Sequence, residues 1–262
     1  MEYSWTNEAD AAVDPGEGAV LVSSFPSAGL ATTVAGHYMI RSLNLQRIGR
    51  FDSPDAPPIA VIQDGTVGPT VRVYGQRGLA LVLSEFPPTA PQANALARSI
   101  LDAAESRKAR MVLCLEGVVP HPDAEAEGGS PPPDPDAEHV WGAYSQGSGP
   151  LASAFSGAGV RPLEDGVIGG VSGALLVAGL DRKVPVAVLL VSAQAAGGLP
   201  DHKAGAALIE TLDRVMPELK IDTGPLRDQA EQIERALRAA MKRRPDAPPA
   251  EPEAPPAAEM YR

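Results

Sequence analysis

Short runs of branched apolar residues alternate with longer amphipathic stretches along the first part of the chain. The run AVLVSSF over 19–25 predicts a strand, and the stretch PSAGLATTVAGHYMIRSL predicts a helix behind a glycine-containing turn. Strand-like runs separated by proline- and glycine-rich breakers follow, in the order RIGRF, IAVIQD, TVRVYG and GLALVLSEF. The pattern therefore predicts a strand, a helix and then several consecutive strands.

Helical spacing returns from Gln92 to Arg107, and the strand-like run MVLCLEG comes directly after it. A strand, helix and strand in this order form a βαβ unit and imply parallel strands. The alternation resumes further on with VWGAY, two short helices rich in small residues, the strand VPVAVLLVSA and a helix from Asp201 to Val215. The chain is therefore predicted to be an α/β protein.

Three segments lack this periodicity and define the predicted organisation. Residues 1–18 are polar and acidic and are predicted to be a flexible N-terminal segment. Residues 117–138 are acidic and rich in proline, which predicts a long loop inside one α/β domain spanning 19–243. Residues 244–262 consist mainly of proline, alanine and glutamate and are predicted to be a disordered, semi-stiff tether with a reach of about 40 Å.

The last predicted helix, TGPLRDQAEQIERALRAAMKRR, precedes this tether. A narrow apolar stripe runs along it at spacings of four and three, formed by Leu226, Ala230, Ile233, Leu237 and Met241 (or Ala240). Such a stripe either packs on the core or pairs with a second copy of the same helix.

Composition narrows the functional classes. The 33 acidic residues outnumber the 22 Lys and Arg residues, so the net charge of −11 argues against nucleic acid as a partner. The start of the chain does not resemble an export signal, and the longest apolar run of about ten residues is half the ~20 needed to span a membrane. Together with a single cysteine, these features predict a soluble cytoplasmic protein with no membrane partner.

Cys114 and His121 are the strongest candidates for a catalytic pair, since both lie near the end of a predicted core strand. Cys114 is flanked by Leu113 and Leu115, however, and a cysteine in this setting is most often a small buried hydrophobe. The structural explanation is therefore preferred to catalysis.

Two further patterns resemble binding sites. His121, Asp123, Glu125 and Glu127 alternate like ligands of a divalent cation, but they lie in the proline-rich loop, where a solvated acidic segment is the better interpretation. The glycines at 166, 169, 170 and 173 resemble a phosphate cradle, yet neither a P-loop nor a G-x-G-x-x-G motif is present. No catalytic residue, metal or cofactor is predicted, and the protein is predicted not to be an enzyme.

The stretch LVSSFPSAGLATTVAGHYMIRSLNLQRIGRFDSPDAPPIAVIQDG resembles the opening of the archaeal proteasome assembly chaperone family. The likeness continues through VRVYG, LVLSEFP and IGGVSGALL and covers roughly residues 19–240. The matching positions of the opening are Phe25, Pro26, Gly29, Leu30, Tyr38, Ile40, Leu43, Ile48, Gly49, Ser53, Pro57, Pro58 and Gly65. Ser24 and Ser27 replace glycines that are usual in the family's opening turn, which puts in doubt a role of that turn as a tight backbone site.

The resemblance implies a three-layer α/β/α sandwich with a mixed, largely parallel central sheet of the phosphorylase-like kind. It also implies a homo-oligomer that binds proteasome α subunits or the α-ring without nucleotide. Proteasome-binding proteins of several kinds end in a hydrophobic residue, a tyrosine and any residue, and Met260, Tyr261 and Arg262 match that ending. These three residues are the predicted partner-binding site.

The leading hypothesis is thus a non-enzymatic proteasome assembly chaperone or adaptor that uses several C-terminal tails at once. One alternative is an ATP-independent activator that opens the gate of the α-ring. Another is a small-molecule enzyme on a phosphorylase-like fold, with Cys114 or the glycine segment at its site.

Overall fold

The computed structural model describes residues 2–9, 11–63, 65–119, 139–145, 150–194 and 199–242. The strands are β1 Ser4–Asn7, β2 Val20–Ser24, β3 Gln46–Asp52, β4 Val61–Gln63, β5 Thr66–Gly68, β6 Arg72–Gln76, β7 Leu79–Leu83, β8 Met111–Val118, β9 Val140–Tyr144, β10 Arg161–Pro162 and β11 Val186–Ser192. The helices are α1 Ala31–Ser42, α2 Ala90–Ser106, α3 Pro150–Gly157, α4 Gly170–Ala178, α5 His202–Val215 and α6 Gly224–Lys242. Single 3₁₀ turns occupy Ala28–Leu30 and Gly179–Asp181.

Nine of the strands found in the described residues form one sheet, in the order β1-β3-β6-β7-β2-β8-β11-β9-β10. The four central strands β7, β2, β8 and β11 are parallel, whereas β6 and β9 border them in antiparallel pairing. The predicted βαβ unit is present as β7, α2 and β8, but β2 lies between its two strands. Because the central strands are parallel, their carboxyl ends meet along one edge of the sheet.

Helices cover both faces of the sheet. Helices α1, α3, α5 and α6 pack on one face, where Met39, Leu113 and Leu208 belong to one apolar cluster. Helices α2 and α4 pack on the other face, where Leu96, Val188 and Leu175 belong to a second cluster. The predicted three-layer α/β/α sandwich with a mixed central sheet is therefore confirmed, and its core is mainly aliphatic.

Polar side chains define where two of the long helices begin. Thr89 precedes α2 and forms a capping box with Gln92, whose Oε1 accepts a hydrogen bond from the Thr89 backbone N–H at 2.9 Å. Asp201 precedes α5, and its Oδ1 accepts from the backbone N–H of Ala204 at 3.0 Å. None of the helices in the described ranges is long and apolar enough to cross a membrane.

The start of the chain differs from the sequence prediction of a flexible segment over 1–18. Strand β1 pairs antiparallel with β3 at the sheet edge, and Tyr3 beside it is buried. The rings of Trp5 and Phe51 form a T-shaped contact with their centroids 5.4 Å apart, and the guanidinium of Arg107 lies 4.0 Å from the centroid of the Trp5 ring. Aromatic and cation–π contacts thus hold a strand too short to show an alternating pattern.

Candidate functional site

The turn before α1 lies at the carboxyl end of β2, in the middle of the edge where the parallel strands end. Gly29 and Leu30 both adopt the left-handed conformation there, with φ of 61° and 50°. The Gly29 carbonyl accepts a hydrogen bond from the backbone N–H of Asp201 at 2.7 Å, which ties the turn to the start of α5. This turn carries the positions Phe25, Pro26, Gly29 and Leu30 on which the family resemblance rests.

Close packing explains the glycines at this turn. A Cβ on Gly29 would lie 2.8 Å from the carbonyl oxygen of Gln194, in addition to the strain of its positive φ. A Cβ on Gly117 in β8 would lie 2.5 Å from the carbonyl oxygen of Ala28. The backbone of the turn therefore packs directly on β8 and on the segment after β11, and the space is filled by protein.

The serines that replace family glycines make hydrogen bonds inside the turn. Ser24 Oγ donates to the carbonyl of Thr32 at 2.8 Å, and Thr32 Oγ1 donates to the carbonyl of Phe25 at 2.5 Å. Ser27 Oγ lies 3.0 Å from Thr32 Oγ1. Where the family usually has flexible glycines, this turn has serines whose hydroxyl groups form hydrogen bonds. The turn therefore has a structural role and leaves no open site for a ligand.

A partly buried ionic network lies where β7 ends. Arg72, which is 1% exposed, donates from Nη2 to Glu85 Oε1 and from Nε to the hydroxyl of Tyr74 at 3.0 Å. His37 on α1 places Nε2 3.0 Å from the same Glu85 oxygen. Burial alone would raise the pKa of Glu85, but the His37 hydrogen bond and the Arg72 charge outweigh it and lower that pKa. Arg72 and His37 thus join β6, β7 and α1.

Glu116 and Ser172 form a second, partly buried polar contact. Glu116 lies near the carboxyl end of β8, and its Oε2 accepts a hydrogen bond from Ser172 Oγ in α4 at 2.7 Å. Burial raises the pKa of Glu116 to about 7, and the Ser172 hydrogen bond lowers that pKa by less than burial raises it. The pair offers a carboxyl group that titrates near neutrality, but its hydrogen bonds within the described chain include no histidine that would activate Ser172 as a nucleophile.

Cys114 is fully buried beneath this pair. Burial and the nearby Glu116 carboxyl raise the pKa of its thiol far above the usual range, so the reactive thiolate is strongly disfavoured. The interpretation of Cys114 as a buried hydrophobe is confirmed. His121 and the acidic residues of its loop lie outside the described residues.

Two of the four glycines around the start of α4 have a structural explanation. Gly170 has a φ of 62°, and a Cβ on Gly173 would overlap the carbonyl oxygen of Ile168. The described residues contain no group of three or more His, Cys, Asp or Glu side chains that could hold a metal ion. Close packing therefore accounts for Gly173 and the backbone conformation for Gly170, whereas a Cβ on Gly169 would meet no atom within 4 Å.

Helix α6 leads to the predicted tether, and its first half is anchored on α5. Leu226 is 1% exposed and Ala230 is also buried, so the start of the predicted stripe packs on the core. Arg227 Nε and Nη2 donate to the two carboxylate oxygens of Glu210 at 2.6 and 2.7 Å, and this contact lowers the pKa of Glu210. Tyr38 from α1 donates to the carbonyl of Asp222 at 2.6 Å. The first half of α6, the helix before the tether, is therefore firmly attached to the rest of the domain.

The predicted partner-binding residues Met260, Tyr261 and Arg262 lie outside the described residues, as do the side chains of Leu237 and Met241. What sequence reasoning missed is the pair of polar contacts at Glu85 and Glu116. The signal for Glu116 was a lone carboxylate within the apolar run MVLCLEG.

Comparison with known proteins gives a consistent result across sequence and structure. The model of the PAC2 family matches residues 21–241. An uncharacterized protein of Methanocaldococcus jannaschii is 26% identical over 222 residues, which is 85% of each chain.

Two crystal structures from Pyrococcus furiosus share the fold. One is PbaA, an archaeal homolog of proteasome-assembly chaperone, with a TM-score of 0.76 and 24% identity over 93% of each chain. The other is PbaB, an archaeal proteasome activator, with a TM-score of 0.71 and 19% identity over 91% of this chain and 98% of that one. At these identities the two structures establish the shared fold.

Proposed function

The chain belongs to the PAC2 family, and from this premise we propose that it is a non-enzymatic proteasome assembly chaperone or adaptor. Its partners are the α subunits of the proteasome core particle or the α-ring, and it acts in the cytoplasm. The observation that carries the proposal is the combination of a PAC2 domain with the ending Met260, Tyr261 and Arg262. The similarity to PbaA, a homolog of proteasome-assembly chaperone, supports it.

The three terminal residues have the chemistry of a small docking plug. Met260 supplies apolar area, and Tyr261 supplies an aromatic body with a hydroxyl that forms hydrogen bonds. When Arg262 is the last residue, its carboxylate can pair with a lysine in a pocket between neighbouring α subunits. Binding of this kind depends on the order of the last three residues as well as on their composition.

Several tails acting together are needed for useful affinity. One three-residue plug has a small contact area, and ordering of the proline-rich spacer opposes its binding. A homo-oligomer that presents several tails raises the effective concentration of each after the first has bound. The spacer of residues 244–259 relaxes the symmetry match between the oligomer and a ring, while α6 ties each spacer to a folded body.

The polar contacts of the domain support a role without catalysis. Cys114 is fully buried with a raised pKa, and the hydroxyl of Ser24 is hydrogen-bonded within the turn before α1. The third hypothesis, a small-molecule enzyme with Cys114 or the glycine segment at its site, is weakened because Cys114 is a poor nucleophile when buried. A proteasome-binding protein needs no nucleophile.

A second candidate is an ATP-independent activator that opens the gate of the α-ring. The similarity of fold to PbaB, an archaeal proteasome activator, favours it specifically. Peptide hydrolysis by mature proteasomes separates the two functions, because an activator increases the rate and an assembly factor leaves it unchanged. The same terminal residues would serve both.

The proposal is tested by pull-down of recombinant α subunits with the full chain and with a variant lacking residues 260–262. We expect the truncated chain to lose binding while its thermal melting and circular dichroism stay unchanged. A matched control, Ala257→Ser with Ala258→Ser, alters the tether next to the plug and should bind normally. Undiminished binding by the truncated chain would overturn the proposal.

A further inference from the structure

Strands β4 and β5 form a hairpin that is separate from the nine-stranded sheet. Ile62 and Val67 lie directly opposite each other in its register, so their side chains share one face of the hairpin. The two side chains are 63% and 64% exposed. They therefore form one apolar patch on the surface, which we call the hairpin patch.

The opposite face of the hairpin and the edge formed by β5 are attached to the domain. On that face, Gln63 Oε1 accepts a hydrogen bond from the hydroxyl of Tyr74 in β6 at 2.6 Å. At the β5 edge, Arg47 Nη1 from β3 lies 3.5 Å from the carbonyl oxygen of Val67, and a Cβ on Gly68 would lie 3.1 Å from the same nitrogen. The hairpin patch and the edge formed by β4 are therefore directed away from the domain.

The edge formed by β4 carries backbone groups that have no partner strand. A two-residue loop joins Gln63 to Thr66, so that pair exchanges hydrogen bonds and the next pair, Ile62 and Val67, does not. The N–H and C=O of Ile62 therefore point away from β5, and they have no hydrogen bond within the described part of the chain. An edge of this kind can pair with another extended chain, and β4 contains neither a lysine nor a proline that would prevent it.

Charge indicates the chemistry of the chain that fits this edge. Residues 53–71 contain Asp55 and Asp64 but no Lys, Arg or His, and the whole chain has a net charge of −11. The two arginines of the neighbouring strand β3, Arg47 and Arg50, already form ion pairs. An extended segment in which apolar residues alternate with Lys or Arg therefore matches both the hairpin patch and the acidic character of this region.

Segments of this chain outside the described residues do not have that chemistry. Residues 120–138 contain several acidic residues and no Lys or Arg. Residues 245–262 contain four acidic residues against the single Arg262, and most of this segment is interrupted by prolines that cannot donate to a strand. A second copy of the hairpin would bring acidic residues together, which like charges disfavour. A different protein is therefore the better fit.

We propose that β4 binds an extended, basic segment of another protein as an added strand. The backbone of the segment pairs with the N–H and C=O of Ile62, and its apolar side chains cover the hairpin patch. Because the Gln63–Tyr74 hydrogen bond holds the hairpin in place beforehand, little conformational entropy is lost on the side of this protein. The inference is independent of the proposed function, since it concerns a surface other than residues 260–262.

Synthetic peptides test the inference with the full chain and without any proteasome subunit. The first probe is the hexapeptide Lys-Val-Lys-Val-Lys-Val with an N-terminal fluorophore, whose binding is measured by fluorescence anisotropy. The second probe has glutamate in place of every lysine. We expect the lysine peptide to bind at least about tenfold more tightly, because the two peptides have the same alternation and opposite charge.

Backbone methylation separates strand pairing from general attraction to an acidic protein. A lysine peptide with alternate backbone nitrogens methylated keeps its charge and side chains but loses the N–H groups that pair with an edge strand. It should bind at least about fivefold more weakly than the unmethylated peptide.

A pair of variants locates the binding site. Val67→Lys places a positive charge in the hairpin patch and should weaken binding of the lysine peptide at least about fivefold. Val177→Lys is the matched control at a 69% exposed valine of α4, and it should leave this affinity unchanged. Circular dichroism and thermal melting establish that each variant is folded.

Three results would overturn the inference. They are no detectable binding of the lysine peptide, equal affinity for its methylated and unmethylated forms, and equal effects of Val67→Lys and Val177→Lys. Deletion of residues 260–262 should not change peptide binding, whereas loss of binding on that deletion would place the site in the tail and contradict a site on β4. The inference and the proposed function can therefore fail separately.

Discussion

Replacing Glu116 with glutamine should stabilise the protein above neutral pH. Glu116 lies on β8 against Ser172, and burial raises its pKa from 4.5 to about 7. Between these two values the unfolded chain releases a proton that the folded chain keeps. The free energy of unfolding therefore falls as pH rises from about 4.5 to about 7, which is opposite in sign to the effect of a carboxylate stabilised in its charged form.

The magnitude follows from the same pair of pKa values. A difference of about 2.5 pH units corresponds to a loss of at most about 3.4 kcal/mol from Glu116 once pH exceeds 7. Glutamine keeps the size of the side chain and can still accept a hydrogen bond from Ser172, but it carries no charge. Glu116→Gln should therefore be more stable than the parent at pH 8, by up to this amount, and within about 1 kcal/mol of it at pH 5.

Urea denaturation at pH 5 and pH 8, followed by the fluorescence of Trp5 and Trp141, measures this difference. Glu164→Gln is the matched control, since Glu164 is exposed, and it should change neither curve. Comparison of variant with parent at each pH removes the contributions of Glu85 and Glu210, whose lowered pKa values act in the opposite direction. A gain of equal size at both pH values, or none at pH 8, would refute the reasoning.

Three further substitutions test other parts of the fold by urea denaturation. Gly29→Ala should lower the free energy of unfolding by at least about 1 kcal/mol, because alanine disfavours the left-handed backbone and its Cβ would lie too close to the Gln194 carbonyl. An unchanged free energy of unfolding would contradict the described turn. Leu226→Ala should lower the free energy of unfolding by about 2–5 kcal/mol and speed up amide hydrogen exchange in α6. Unchanged slow exchange would show that α6 does not depend on Leu226. Arg72→Met should lower the free energy of unfolding by about 1–3 kcal/mol at pH 7, because it leaves the partly buried Glu85 carboxylate without its arginine. The loss should be smaller at pH 4. A loss independent of pH would indicate that Arg72 contributes through packing alone.

Local periodicity was sufficient to predict most strands and helices of this chain. The run VPVAVLLVSA became β11, fully buried except at its last residue, and the helix predicted from Asp201 to Val215 spans His202–Val215 with Asp201 as its cap. Parallel strands followed from the βαβ order. These features depend on neighbours in sequence, which a single chain displays directly.

Features that depend on distant contacts were not predictable in the same way. Strand β1 is held by Phe51 and Arg107, which lie far from it in sequence, and no alternation marks it. The insertion of β2 between β7 and β8 is likewise a property of the whole sheet. Hydrogen bonding of Ser172 to Glu116 joins residues 56 positions apart, so the sequence displayed a carboxylate in an apolar run without its partner.

The predicted docking residues are a different case, since Met260, Tyr261 and Arg262 were chosen by resemblance and lie outside the described residues. The fold positions only the helix from which their tether departs. Their role therefore stays a proposal that depends on direct binding experiments.

The most direct measurement is the affinity of the full chain for an immobilised α-ring, compared with two variants of the tip. One variant rearranges the last three residues as Met260→Arg, Tyr261→Met and Arg262→Tyr, which preserves composition and net charge. The other adds a single glycine after Arg262, which displaces the carboxylate. The account predicts that both variants bind at least about tenfold more weakly than the parent, since each removes a charge-assisted or aromatic contact. Equal affinity of all three chains would contradict docking through the terminal residues.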